Sequence, residues 1–473
     1  MGVTDFVAGI ADDVLKFAED ARDGAVEMLF EPRLALGVTG LSRSGKTVFI
    51  TSLVANLLAR GRMTQLRAEA EGRLIAVEVQ PHPDRETPRF DYETHLAALS
   101  GADPVWPEST RRISQIRLSI RYNPTGFLSG LTGPSALHLD IVDYPGEWLL
   151  DLALLDLDYA GWSERALKAA EAPTRAPHAA RWRELIADRD PAAKFEEAAA
   201  RPLAEAFTAY LSACREAGLS GLAPGRFIMP GDLEGSPALA FCPLPPASGR
   251  DPVRDEFAKR FEAYKRSIVK PFFRDHFARL DRQIVLVDLM TALNDGPAAV
   301  ADLSSAMTEI LGAFRPGQNT WLSSILGRRI DRVLFAATKA DHLHHKEHDR
   351  LTAIMTALLA DSVSRAAFRG AETHALAIAA LRATVEQEAA GLNAVRGRLL
   401  ATRKEAALDP GELPADPAPV LSAARAAAAS GAGWLDGDYH VMDFAPPRLT
   451  AGEGLPHIRL DRALEFLIGD RLS

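Results

Sequence analysis

The segment Gly40-Leu41-Ser42-Arg43-Ser44-Gly45-Lys46-Thr47 spells GxxxxGK[ST], and it constrains the fold more than any other stretch of the chain. Such a loop works between a buried strand and the N-terminus of a helix. Its backbone N–H groups wrap phosphates, its lysine reaches the β- and γ-phosphates, and its Thr hydroxyl ligates Mg²⁺. The flanks agree, because Arg33 to Val38 reads as a short buried strand and Thr47 to about Leu58 as an apolar-periodic helix. The expected phosphate contacts are Ser42, Arg43, Ser44, Gly45, Lys46, Thr47 and Val48.

Two further motifs follow strands. Leu137 to Val142 is apolar and ends in Asp143-Tyr144-Pro145-Gly146. An Asp at the end of a second strand is where a P-loop needs its outer Mg²⁺ ligand, and Gly146 can lend its N–H to a γ-phosphate. The apolar strand Arg332 to Ala337 runs into Thr338-Lys339-Ala340-Asp341. A carboxylate there accepts from both guanine N1–H and N2–H₂, whereas adenine offers an acceptor at N1 and would leave the acid unpaired. Further strands are expected at Leu74 to Val79, Gln115 to Tyr122, Gln283 to Leu289 and His374 to Ala379. Helical patterns at Val300 to Phe314 and Asp349 to Leu359 separate the later ones, which argues for a mainly parallel α/β sheet.

P-loop, DxxG and [NT]KxD in that order are the motifs of Ras-like GTPases. The stretches Val38 to Thr47, Asp143 to Leu150, Gln283 to Asp288 and Ala336 to His342 resemble the bacterial YcjX-like family from about Arg33 to Ser473. The resemblance implies a Ras-like G domain that binds GTP and GDP with Mg²⁺ in a cytoplasmic, stress-associated bacterial protein, with an envelope-stress membrane protein as one possible partner. Composition and spacing carry none of the stress link.

Departures from the small-GTPase pattern matter for rate and selectivity. Thr338 replaces the usual Asn, and Ser42 crowds the γ-phosphate side where Gly is usual. Glu147 stands where a water-orienting Gln normally follows the Gly. An ionised Glu beside a γ-phosphate is unfavourable, so it either works as a base with a raised pKa or swings away. The catalytic candidates are therefore Lys46 and Glu147, and the metal candidates Thr47, Asp143 and a switch-I threonine, Thr110, with Thr87 as runner-up. Ala380 and Leu381 are the candidates for a guanine-facing turn, and His342 for a nucleotide-side or packing role. His344 and His348 would share a helical face at a spacing that can hold zinc. Arg43, Arg111 and Arg112 are candidates to supply charge in cis.

A net charge of −9 argues against a nucleic-acid-coating protein and does not suit an anionic membrane surface, and only Cys214 and Cys242 occur, which suits a reducing compartment. No apolar run suggests a membrane span, and the N-terminus shows neither a secretory nor a myristoylation signal. A cytoplasmic location is expected. The expected organisation is an amphipathic, acidic-faced helix within 1–32, G domain at 33–148 and 281–400, and a helical insertion at 149–280 emerging from switch II. A loop or linker at 401–434 and a C-terminal segment at 435–473 packing on the G domain complete it. The insertion would carry a protein partner. The leading reading is a GTP-driven switch with slow hydrolysis; the rivals are a nucleotide-gated binding module with negligible turnover and an ATPase.

Overall fold

The computed structural model describes residues 32–40, 44–81, 87–108, 112–125, 133–313, 330–365, 371–389, 392–430, 439–449 and 454–473. The expected N-terminal helix within 1–32 lies outside the described residues, as do Ser42, Arg43, Thr110 and Arg111.

Seven strands form the main sheet: β1 (Arg33–Gly40), β2 (Leu74–Gln80), β3 (Ser114–Tyr122), β4 (Ser135–Asp143), β5 (Arg282–Val287), β6 (Arg332–Ala337) and β7 (Glu372–Ala377). Their order is β2-β3-β4-β1-β5-β6-β7. The pairings β2–β3 and β3–β4 are antiparallel, and β4, β1, β5, β6 and β7 run parallel. This is the α/β class with a mainly parallel sheet that the strand–helix alternation predicts. Every residue of β5 is buried and only the first of β1 is exposed, as a sheet covered on both faces requires. The carboxyl ends of the parallel strands therefore share one edge, the place where α/β sheets bind ligands.

One face is covered by α1 (Lys46–Ala59), whose Phe49, Ile50, Leu53 and Leu57 pack on Leu36, Val38 and Ile116. A C-terminal helix, Leu460–Ile468, joins the same core through Leu464 and Leu467. Arg282, almost fully buried in β5, holds that end of the chain: it pairs with Asp331, bonds Asp470 at 2.8 Å and donates to the Leu467 carbonyl at 3.1 Å.

The other face continues without a break into helices from residues 147–280. Trp162, Trp182, Phe207 and Phe261 from this region share one apolar cluster with Val285 and Phe335 of the sheet. Trp162 stacks on Phe261 with ring centroids 4.9 Å apart, and Trp182 on Tyr210 at 5.4 Å.

Two segments differ from expectation. Residues 418–430, expected within a linker, form the helix Ala418–Ser430, which buries Val420, Ala424 and Ala427 against Pro297–Ala313 and His348–Arg365. Its prolines misled because Pro419 sits in the first helical turn, where the missing N–H has no intrahelical partner to lose. Asp416 accepts the Ala418 N–H at 3.0 Å just before it. Residues 384–408 hold a second, antiparallel sheet of β8 (Thr384–Ala389), β9 (Leu392–Arg398) and β10 (Glu405–Leu408). Its Ala- and Glu-rich sequence gives no strand signal, and pairing overrides propensity there.

Candidate nucleotide site

The phosphate side is built on close glycine contacts. At Gly40 a Cβ would sit 1.9 Å from Ser44 Oγ, and Gly45 has φ +81°, a left-handed conformation that glycine adopts without cost just before α1. Lys46 opens α1 and its ammonium lies 3.8 Å from Asp143 Oδ1. Asp143 ends β4 directly opposite Val38 of β1 and is buried. Thr47 is also buried, and its hydroxyl donates to the Glu108 carbonyl at 3.4 Å, which brings the segment before Thr110 to the start of α1. Ser44 is buried, with Oγ making no hydrogen bond among the described residues. Val48 packs beside Leu99, Leu381 and Leu455. The buried Thr47 hydroxyl at the start of α1 and the buried Asp143 carboxylate near the Lys46 ammonium are hard oxygen donors of the kind that suits Mg²⁺.

Gly146 lies against the first glycine of the loop. A Cβ at 146 would stand 2.3 Å from the Gly40 carbonyl oxygen, and Thr39 Oγ1 donates to the Tyr144 carbonyl at 3.3 Å. Any side chain at 146 would push the two loops apart.

Glu147 points elsewhere. It begins the short helix Glu147–Leu150, is buried, and accepts from Arg215 Nε at 3.2 Å on the long helix Glu197–Glu216. Its partner is thus the Arg215 guanidinium of the helical region. Nothing in the sequence around Arg215 marks it for this role. Gly225 closes on the same helix, for a Cβ there would meet the Glu147 carbonyl oxygen at 2.1 Å. Arg112, of the segment before β3, pairs with Asp232 Oδ1 at 3.1 Å. Thr87, the other switch-I candidate, is buried just before the stretch in which Pro88 accepts the Gln115 N–H at 2.9 Å.

Beyond Glu147 lies a buried polar node. Asp151 accepts from Gly225 N–H at 2.6 Å, Tyr264 hydroxyl at 2.7 Å and Arg226 N–H at 3.3 Å. The Arg226 guanidinium rests 3.1 Å from the centre of the Trp148 ring. Burial raises the Asp151 pKa from the ordinary 3.8 to about 6, with the Tyr264 and Gly225 hydrogen bonds opposing it. A carboxyl whose folded pKa is raised binds its proton more tightly folded than unfolded. Its contribution is therefore most favourable below pH 3.8 and is lost as pH rises through 6. Asp151→Asn is expected to flatten this dependence. Unfolding free energies of variant and wild type from denaturant titration should diverge between about pH 4 and 7, by at most ~3 kcal/mol in favour of the variant. Parallel pH profiles would refute the assignment.

The base side starts where β6 ends. Thr338 makes two bonds to one acceptor on β5, its N–H to the Val287 carbonyl at 2.8 Å and its hydroxyl at 3.2 Å. Lys339 is left-handed at φ +59°, and its ammonium meets Asp288 Oδ2 at 2.5 Å. Asp341 is buried; Oδ2 accepts the Ala383 N–H at 2.8 Å, and its carbonyl accepts the Thr384 hydroxyl. The loop after β7 thus meets Asp341 through Ala383. Ala380 packs on the core that contains α1, and Leu381 is buried with Leu99 and Leu455. The C-terminal stretch straps this loop down, since Arg382 N–H donates to the Pro456 carbonyl at 2.7 Å and Ala379 pairs with Ile458. Asp288 and Ala383 were not singled out by the sequence motifs, and only the strand-end position of Asp288 hinted at it. His342 is buried edge-on to Phe444, 5.2 Å between ring centres, and burial lowers its pKa below 6.5. His344 and His348 do not share a helical face: His344 is extended before a short turn, and His348 starts the next helix with Nε2 facing the Leu343 carbonyl at 3.3 Å.

Comparison with known proteins decides the family. The family model described as YcjX-like family, DUF463, matches residues 34–472. The chain belongs to the YcjX-like family. It is 39% identical to the Ras-like GTPase YcjX of Escherichia coli over 457 residues, covering 93% of this chain and 96% of that protein. It is 35% identical to the Ras-like GTPase YcjX of Shewanella oneidensis over 472 residues, covering 93% and 95%. The fold is accordingly an α/β Ras-like P-loop domain joined to a helical region. Among the described residues no helix is long and apolar enough to cross a membrane.

Proposed function

We propose that the protein is a GTP- and GDP-binding molecular switch with slow, Mg²⁺-dependent hydrolysis, in which residues 33–148 and 281–400 form the G domain and 149–280 the output. The observation that carries this reading is the contact of Gly146 with Gly40, continued at once by Glu147 on Arg215 and Gly225. A γ-phosphate bound at the P-loop would meet the Gly146 N–H, and any shift of Gly146 would press on the insertion through the next residue. In this scheme the ammonium of Lys46 stabilises charge on the transferred phosphoryl group, and Thr47 and Asp143, with Thr110 as switch-I candidate, would hold Mg²⁺. When bound, that ion neutralises developing charge on the phosphate oxygens. Thr338, Lys339 and Asp341 would read guanine, with His342, Ala380 and Leu381 beside them.

Glu147 would have to leave Arg215 before acting on water, so basal turnover is slow. The family resemblance supports a cytoplasmic protein of the bacterial stress response, and the extent of the insertion supports a protein partner there. The test joins motion to rate. Hydrogen exchange across Pro145 to Leu155 should be slower with a non-hydrolysable GTP analogue than with GDP, and single-turnover hydrolysis should run on the order of 10⁻³ to 10⁻² per second. Identical exchange in both states defeats the switch; turnover above roughly 1 per second means a self-sufficient enzyme. Undetectable turnover with normal exchange favours the nucleotide-gated binding module, the reading that the Glu147–Arg215 pair supports.

A further inference from the structure

We propose that His344, His345 and Glu386 form a binding site for a divalent transition-metal cation of the zinc class, separate from the phosphate side. The three residues come from two distant pieces of chain. His344 and His345 follow Asp341 on the segment leaving β6, and Glu386 lies in β8. One nitrogen from each His and a carboxylate oxygen of Glu386 all fall within 4.8 Å of one another. His345 Nδ1 stands 2.7 Å and His344 Nε2 3.6 Å from the same Glu386 oxygen, Oε2.

Those separations fit a chelate. Tetrahedral bonds of about 2.0–2.1 Å place neighbouring ligand atoms roughly 3.3–3.4 Å apart. The His344 distance already matches, and the His345 distance is that of a hydrogen-bonded pair, which must open by about 0.6 Å to admit a cation. His344 is buried with its side chain 1% exposed, whereas Glu386 is 26% and His345 59% exposed, so an ion has an entry path and an open position towards water. Two imidazoles and one carboxylate select zinc-like ions over Mg²⁺, which prefers an all-oxygen shell.

The surroundings supply one orienting contact of the kind metal ligands use, and one that works against it. Arg382 Nη2 donates to the other Glu386 oxygen at 3.4 Å, leaving Oε2 for the cation. Binding through His344 Nε2 puts the ring proton on Nδ1, which costs the 3.4 Å bond that Nδ1 accepts from the Lys346 N–H and turns the two donors towards each other, so the chelate must outweigh that contact. The site would tie the loop carrying Asp341 to the strand just after Ala383, the two pieces already joined by the Ala383 to Asp341 hydrogen bond.

The experiment is a titration of the full chain, free of nucleotide and in excess Mg²⁺, with Zn²⁺ followed by calorimetry and with Co²⁺ followed by its visible absorption. His345→Ala and Glu386→Gln change partly exposed side chains, and circular dichroism checks that both remain folded. The expected result is one Zn²⁺ per chain with micromolar or tighter affinity, a tetrahedral Co²⁺ spectrum, and a loss of roughly 100-fold in each variant. His178→Ala, on a distant helix, should leave the affinity unchanged. No saturable Zn²⁺ binding, or binding that survives both substitutions, overturns the proposal. The titration contains no nucleotide, so its outcome is independent of the GTP reading.

Discussion

Asp341→Asn is expected to move base preference from guanine towards xanthine. In the wild type Asp341 Oδ2 is held by the Ala383 N–H at 2.8 Å, which orients the second oxygen for a base. A carboxylate so placed accepts from guanine N1–H and N2–H₂, and sites built on such bonds discriminate by about 10⁴ or more. In the variant the amide oxygen can keep the Ala383 bond while its NH₂ turns to the base. That NH₂ faces the guanine amino group donor to donor, but donates to the C2 carbonyl that xanthine carries instead. Calorimetry with GTP, XTP and ATP should show GTP affinity falling by roughly 10²–10⁴ and XTP affinity rising. A wild type that binds ATP as tightly as GTP would end the guanine assignment.

Much of this arrangement was legible in the sequence, and the limits have physical reasons. Motifs at strand ends are local, so Lys46, Asp143 and Asp341 could be placed from spacing and apolar runs alone. Their partners could not, because they come from far along the chain: Arg215 reaches Glu147 across 68 positions, and Ala383 reaches Asp341 across 42. The apolar run Arg332 to Ala337 matched β6 at both ends and β1 ran two residues past its expected end at Val38, whereas β8 carries Glu and Gln and β9 carries Asn, Arg and Gly, and they become strands only by pairing within the second sheet. The His cluster misled for a related reason. Its i,i+4 spacing presupposed a helix, but His344 is extended and its acidic neighbour Glu386 arrives from β8.

Substitution of Lys46 should have the most general effect, since it acts on every nucleotide regardless of base. Its ammonium sits 3.8 Å from Asp143 Oδ1, with the side chain 13% exposed, at the mouth of the loop closed by Gly40 and Gly45. A charge-assisted hydrogen bond is worth about 1.5–3 kcal/mol, so a lysine reaching both β- and γ-phosphates should contribute roughly 10²–10⁴ in affinity. Lys46→Ala is expected to abolish measurable GTP and GDP binding. The fold should survive, because the apolar side chains that join α1 to the sheet are Phe49, Ile50, Leu53 and Leu57, none of which touches the change in charge. Lys46→Met provides the control for packing, since it keeps an unbranched apolar stem and removes only the charge. If either variant binds GTP with wild-type affinity, Gly40 to Thr47 does not hold phosphate. If both bind nothing while circular dichroism and thermal melting match the wild type, the lost affinity belongs to the ammonium itself, and the buried Asp143 does not need that partner to keep the sheet edge in place.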